Sequence, residues 1–145
     1  MNTPSGLDAN TEKKIDELLH KMTLDEKIGQ LNQYNGTWDV TGPAPQSGDE
    51  KARYEALVKG KVGSMLNVLS VAATREAQQL AVEKTRLGIP LIFGYDVIHG
   101  YQTMFPIPLA EAASWDLEAV ELSARIAAVE TAAAGVHWTF APMID

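Results

Sequence analysis

The chain has 145 residues, with 12 Lys+Arg against 19 Asp+Glu, 46% hydrophobic and 21% charged residues, and no cysteine. That length fits one domain or part of one, and that composition is globular, which excludes a disordered chain. The net charge of −7 argues against a nucleic-acid or anionic-membrane partner, and the missing cysteine excludes a disulfide scaffold, a thiol nucleophile and an iron–sulfur cluster. The first six residues show neither the basic region nor the apolar stretch of a signal peptide. They suit a cytoplasmic protein, or a periplasmic or secreted one whose leader was removed. No apolar run reaches the roughly 18 residues of a membrane span.

In chain order, Ile15, Leu18, Leu19 and Met22 lie on one face of a first helix. Thr23-Leu24-Asp25-Glu26 has the pattern of a capping box, and Leu24, Ile28 and Leu31 mark a second apolar stripe. Residues 35–48 hold three glycines and two prolines and predict a loop that carries Trp38. Ser47-Gly48-Asp49-Glu50 has a second capping pattern, and predicts a helix to about Lys59 stopped by Gly60. Residues 62–68 predict a buried strand, and 71–87 a helix with Ala77, Leu80 and Ala81 inward. Residues 89–96 predict a second strand, 97–114 a loop, 116–134 an alanine-rich helix closed by Gly135, and 136–143 a third strand.

Strand, helix, strand, helix, strand makes two βαβ units, which build a parallel sheet with right-handed crossovers. A third strand with no helix after it predicts an incomplete α/β domain. The chain divides into residues 1–48, helices and a loop, and residues 49–145, the first βα units.

Ligands of parallel α/β folds bind at the C-terminal ends of strands. Asp96 ends the second predicted strand and Asp145 the third. Each can accept hydrogen bonds from sugar hydroxyls or take part in proton transfer, or else cap nearby amides. His99 can orient Asp96, touch a ligand, or satisfy backbone groups in a buried loop. His20 and His137 fit structural roles, and none of the three histidines has close metal-ligand spacing. Tyr101 and Trp38, both in loops, can stack on a sugar ring, whereas Tyr95 and Trp138 lie in apolar runs that suit a core. Glu118 and Glu121 suit a solvated helix face. There is no Gly-rich phosphate loop and no Gly-x-Ser-x-Gly elbow.

Three blocks carry a family resemblance: residues 21–31 (KMTLDEKIGQL), residues 89–106 (IPLIFGYDVIHGYQTMFP) and residues 140–145 (FAPMID). In that order and spacing they resemble glycoside hydrolase family 3 over about residues 12–145, and bacterial β-glucosidases in particular. The resemblance implies the N-terminal portion of a (β/α)8 TIM barrel, here about three parallel strands with outer helices. It further implies a barrel remainder and a C-terminal α/β sandwich domain as partners, a β-glucoside or oligosaccharide as substrate, and no cofactor.

In the family, the aspartate of the Tyr-Asp-Val-x-His-Gly block binds sugar hydroxyls in the −1 subsite, which implies that role for Asp96. His99 belongs to the same block, and Asp145 matches a common family position. The family nucleophile follows a serine, and this chain has no Ser-Asp dipeptide. The acid/base of the family's β-glucosidases comes from the second domain. No catalytic residue is therefore expected in the chain. The expectation is a fragment of a retaining β-glucosidase, inactive alone; the alternatives are a free-standing non-catalytic α/β binding module and a flavodoxin-like domain, the latter disfavoured by the absent phosphate loop.

Overall fold

The computed structural model describes residues 7–36 and 43–143. Helices α1 (Ala9–Lys21) and α2 (Leu24–Gly29) precede strand β1 (Gln33–Asn35). Then follow α3 (Gly48–Val58), β2 (Ser64–Leu66), α4 (Val71–Lys84), β3 (Ile92–Tyr95), α5 (Pro108–Ser114), α6 (Leu117–Ala133) and β4 (Trp138–Thr139). The strands form one sheet in the order β1-β2-β3-β4, and every neighbouring pair is parallel.

Caps set the helix starts. Asp8 opens α1 by accepting from the amides of Asn10 and Thr11. The capping box of α2 forms: the Thr23 hydroxyl accepts from the Glu26 amide at 3.2 Å, and Glu26 Oε2 accepts from the Thr23 amide at 2.8 Å. The second box does not form. Ser47 makes no side-chain cap bond, because the chain enters α3 through an extended Ser47 and a left-handed Gly48 (φ 69°), not through the geometry that aims a hydroxyl at the third amide.

Three expectations about elements need correction. The sheet has four strands, not three, because β1 pairs with β2 with Tyr34 opposite Met65. Gln33-Tyr34-Asn35 is too short and too polar to show a period, and its bonds come from a strand 31 residues away in register (Gln33 opposite Ser64). The strands are also shorter than the apolar runs that predicted them. Val62, Val68, Leu91 and Val136 are buried in those runs yet lie outside the ladder, so the runs report burial and not hydrogen bonding. Finally, the predicted loop 97–114 ends in a helix: α5 starts with Pro108 at its first position, where a missing amide hydrogen costs nothing.

The core lies on one face of the sheet. Met65 and Phe93 stand opposite one another in register and pack with Leu57 of α3 and with Ala73, Ala77 and Ala81 of α4. Alanines four apart let α4 lie close on the strands. The end of α6 joins the same side, where the Thr74 hydroxyl donates to Ala134 O at 2.9 Å and His137 stacks on Phe93 with ring centroids 5.8 Å apart. The other face is open. Ile92, Trp138 and Phe140 there are 50%, 48% and 37% exposed. Phe140 lies over Gly94, where a Cβ would come within 3.1 Å of its ring.

Candidate functional site

Because all four strands are parallel, their C-terminal ends meet at one edge. Asn35 ends β1 and Asn67 follows β2. Asn67 takes a left-handed conformation (φ 60°), which asparagine tolerates; its amide donates to Gly94 O at 3.2 Å and its side chain to Asn35 Oδ1 at 3.1 Å. Asp96 is the first residue after β3. It is exposed, and among the described residues no hydrogen bond or ion pair engages its carboxylate.

The chain then folds into a tight turn. Val97 is buried, its amide bonded to Tyr95 O at 3.1 Å. The Phe105 amide donates to His99 O at 2.8 Å, and Gly100 and Met104 form an antiparallel bridge. Gly100 has φ 113°, and a Cβ there would overlap the Thr103 carbonyl, so only glycine fits. His99 Nδ1 lies 3.2 Å from Phe105 O, and because a carbonyl only accepts, Nδ1 is the donor and Nε2 is left for another partner. Tyr101 sits edge-on to Tyr95, centroids 5.9 Å apart.

Asp96, His99 and Tyr101 are thus gathered within one strand end and the turn that follows it. Trp38 and Asp145 lie outside the described residues. His20 Nδ1 bonds the Asp16 carbonyl of its own helix at 2.7 Å, and His137 Nδ1 accepts the Phe93 amide at 3.2 Å. Glu118 is exposed, and Glu121 pairs with Arg125 along α6 at 2.7 Å. The Trp138 ring lies tilted at 43° against Phe140 on the open sheet face, not in the core. Among the described residues no three His, Asp or Glu side chains converge as a metal site requires, and no helix is long and apolar enough to cross a membrane.

One residue at this edge was missed in the sequence. Glu130 of α6 accepts from the amides of Gln102 and Thr103, both at 2.8 Å, and from the Thr103 hydroxyl at 2.6 Å. The Thr103 hydroxyl and these amides hold its carboxyl below the usual carboxylate range. Its one signal was its place on α6, a carboxylate between the buried Ala127 and Thr131.

A parallel sheet with helices on one face, the other face open and an exposed carboxylate at a strand's C-terminal end is the architecture of the N-terminal part of a (β/α)8 barrel. The chain belongs to glycosyl hydrolase family 3, since residues 23–145 match the family's N-terminal domain. It is 40% identical, over 99% of its length, to a periplasmic β-glucosidase of Salmonella typhimurium, and 28% identical, over 90%, to a lysosomal β-glucosidase of Dictyostelium discoideum. It spans 17% and 18% of those relatives. Among solved structures, the β-glucosidase of Listeria innocua with isofagomine superposes with a TM-score of 0.75 at 40% identity, over 96% of this chain and 18% of that one. The same enzyme with gluconolactone gives 0.77 at 38%, over 92% and 19%.

Proposed function

We propose that the chain is the N-terminal part of a retaining β-glucosidase that removes terminal β-D-glucosyl units, and that Asp96 holds hydroxyls of the sugar. The supporting observation is Asp96 itself: exposed, unengaged among the described residues and placed at the C-terminal end of β3, in a chain 40% identical to a β-glucosidase. A retaining mechanism needs two carboxyl groups about 5–5.5 Å apart across the glycosidic bond. Asp96 is not one of that pair. The nucleophile and the acid/base come from the remainder of the barrel and a C-terminal α/β sandwich. The first barrel units begin at β1 and run on from residue 33, and helices α1 and α2 precede them. His99, through Nε2, and the Tyr101 ring, both in the turn that follows Asp96, are the further sugar contacts.

The test is a hybrid enzyme in which residues 1–145 replace the matching segment of the Salmonella relative. We expect it to hydrolyse an aryl β-glucoside. A charge-assisted hydrogen bond contributes about 1.5–3 kcal/mol, so Asp96→Asn lowers kcat/KM by at least about tenfold at unchanged Tm. A folded hybrid without activity refutes the reading and favours a non-catalytic module. A sharp fall in Tm with kcat/KM of the folded fraction intact makes Asp96 a structural cap.

A further inference from the structure

The turn after Asp96 has no hydrophobic anchor at its tip. Gln102, Thr103 and Met104 are all exposed. A tip of that kind is ordinarily free to sample several conformations, because exposed backbone amides exchange readily with water. Here the two tip amides and the Thr103 hydroxyl all point at one carboxylate, Glu130, across 27 to 28 residues of sequence. At the other side of the turn, Tyr101 leans edge-on against Tyr95, the last residue of β3. His99 and Gly100 lie between Tyr95 and Tyr101, immediately before both attachments, and Asp96 directly follows Tyr95.

We propose that Glu130 is a positioning residue for the sugar site: its carboxylate clamps the 99–105 turn to α6 and so fixes His99 and Tyr101 relative to Asp96. This rests on the proposed sugar-binding role of that edge. The chemistry suits a clamp better than a surface contact. A carboxylate has acceptor capacity for three donors at once, and charge-assisted bonds are about twice as strong as neutral ones. A glutamine at the same place has one oxygen to offer, and alanine has none. Among the described residues Glu130 forms no ion pair. Glu121, farther back on the same helix, pairs instead with Arg125. Gly100 adds to the picture: it permits the tight turn, but it also removes the restraint a side chain would impose, so the turn depends on what holds its tip.

Misplacing a binding group by about 1 Å can cost up to about 10²-fold, so loosening this turn is expected to cost about tenfold. The hybrid enzyme described above provides the test. Glu130→Ala raises KM for an aryl β-glucoside and Ki for gluconolactone about tenfold, with a smaller change in kcat, and Glu130→Gln falls between it and the parent. Glu121→Ala on the same helix leaves all three constants unchanged. Amide hydrogen exchange of the peptide containing residues 102 and 103 is slow in the parent and fast in Glu130→Ala. Should Glu130→Ala fail to fold, Thr103→Val removes one of the three donors and raises KM to a lesser degree, and Thr103→Ser restores it. Unchanged KM and Ki in the folded variants, or fast exchange at 102 and 103 in the parent, overturns the clamp. If Glu130→Ala raises KM while Asp96→Asn has no effect, the clamp stands and the role given to Asp96 fails; the opposite pattern removes the clamp and keeps Asp96.

Discussion

Glu26 and Gly63 show how single residues lock the first elements to the sheet. Glu26 caps α2 and also receives Arg86, with Nε at 2.9 Å and Nη2 at 2.6 Å, while Arg86 Nη2 donates to Lys21 O as well. The hydrogen bonds from Arg86, with those from Thr23, lower the Glu26 carboxyl from 4.5 to about 2. A depressed carboxyl stabilises the fold fully above its unfolded value and loses that contribution as pH falls through its folded value. Stability of the chain should therefore drop between about pH 5 and pH 2, and Glu26→Gln, less stable at neutral pH, should show a flatter profile in thermal melts across that window. Equal slopes would remove Glu26 from this role. Asp8 and Glu130, also lowered, contribute in the same direction. Gly63 is buried where a Cβ would overlap the Gln30 carbonyl. Gly63→Ala must push α2 from β2, and should cost about 1–3 kcal/mol in urea unfolding.

Among elements, α4 and α1 behave oppositely although both begin with a capped turn. Ala77 of α4 is fully buried against Met65 and Phe93, and α1 buries no residue at all. Ala77→Leu inserts volume where the helix meets the sheet and should cost about 1–3 kcal/mol or more. Ile15→Ser in α1 should change stability by no more than about 0.5 kcal/mol, because Ile15 is exposed. Chemical denaturation of the two variants side by side checks the contrast; equal losses would mean that α1 packs as α4 does. The apolar stripe of α1 was plain in the sequence and still did not report burial, since amphipathicity says which face can be covered and not whether a partner covers it.

For the whole molecule, the open sheet face decides behaviour. Ile92, Trp138 and Phe140 stay exposed on it, and among the described residues the outer edges of β1 and β4 are unpaired. A cleft of about 450 Å³ beside α6, bounded by Val97, Pro108, Ala124, Ala128 and Trp138, adds apolar surface. Burying one such side chain is worth about 1.5–3 kcal/mol, whereas the repulsion of a −7 net charge is screened within about 10 Å at 0.1 M salt. The 145-residue chain should therefore associate, bind a hydrophobic dye and gain order when the rest of the barrel is supplied in trans. Sedimentation with a dye titration checks this. A monomer with a cooperative melt and no dye binding would favour a free-standing module.

The α/β class, the Thr23–Glu26 box, the extent of α6 and the position of Asp96 at a strand end were all legible in the sequence. Each depends on residues within a turn or two, where periodicity and capping chemistry are local. Strand β1, the short ladders, the bare Ser47 cap and the grip of Glu130 on the 102–103 amides were not legible. Each is set by a partner distant in the chain or by the angle at which the backbone enters an element. A hydrogen bond between Thr103 and Glu130 leaves no periodic trace in either segment, because its geometry exists only once α6 has packed beside the end of β3.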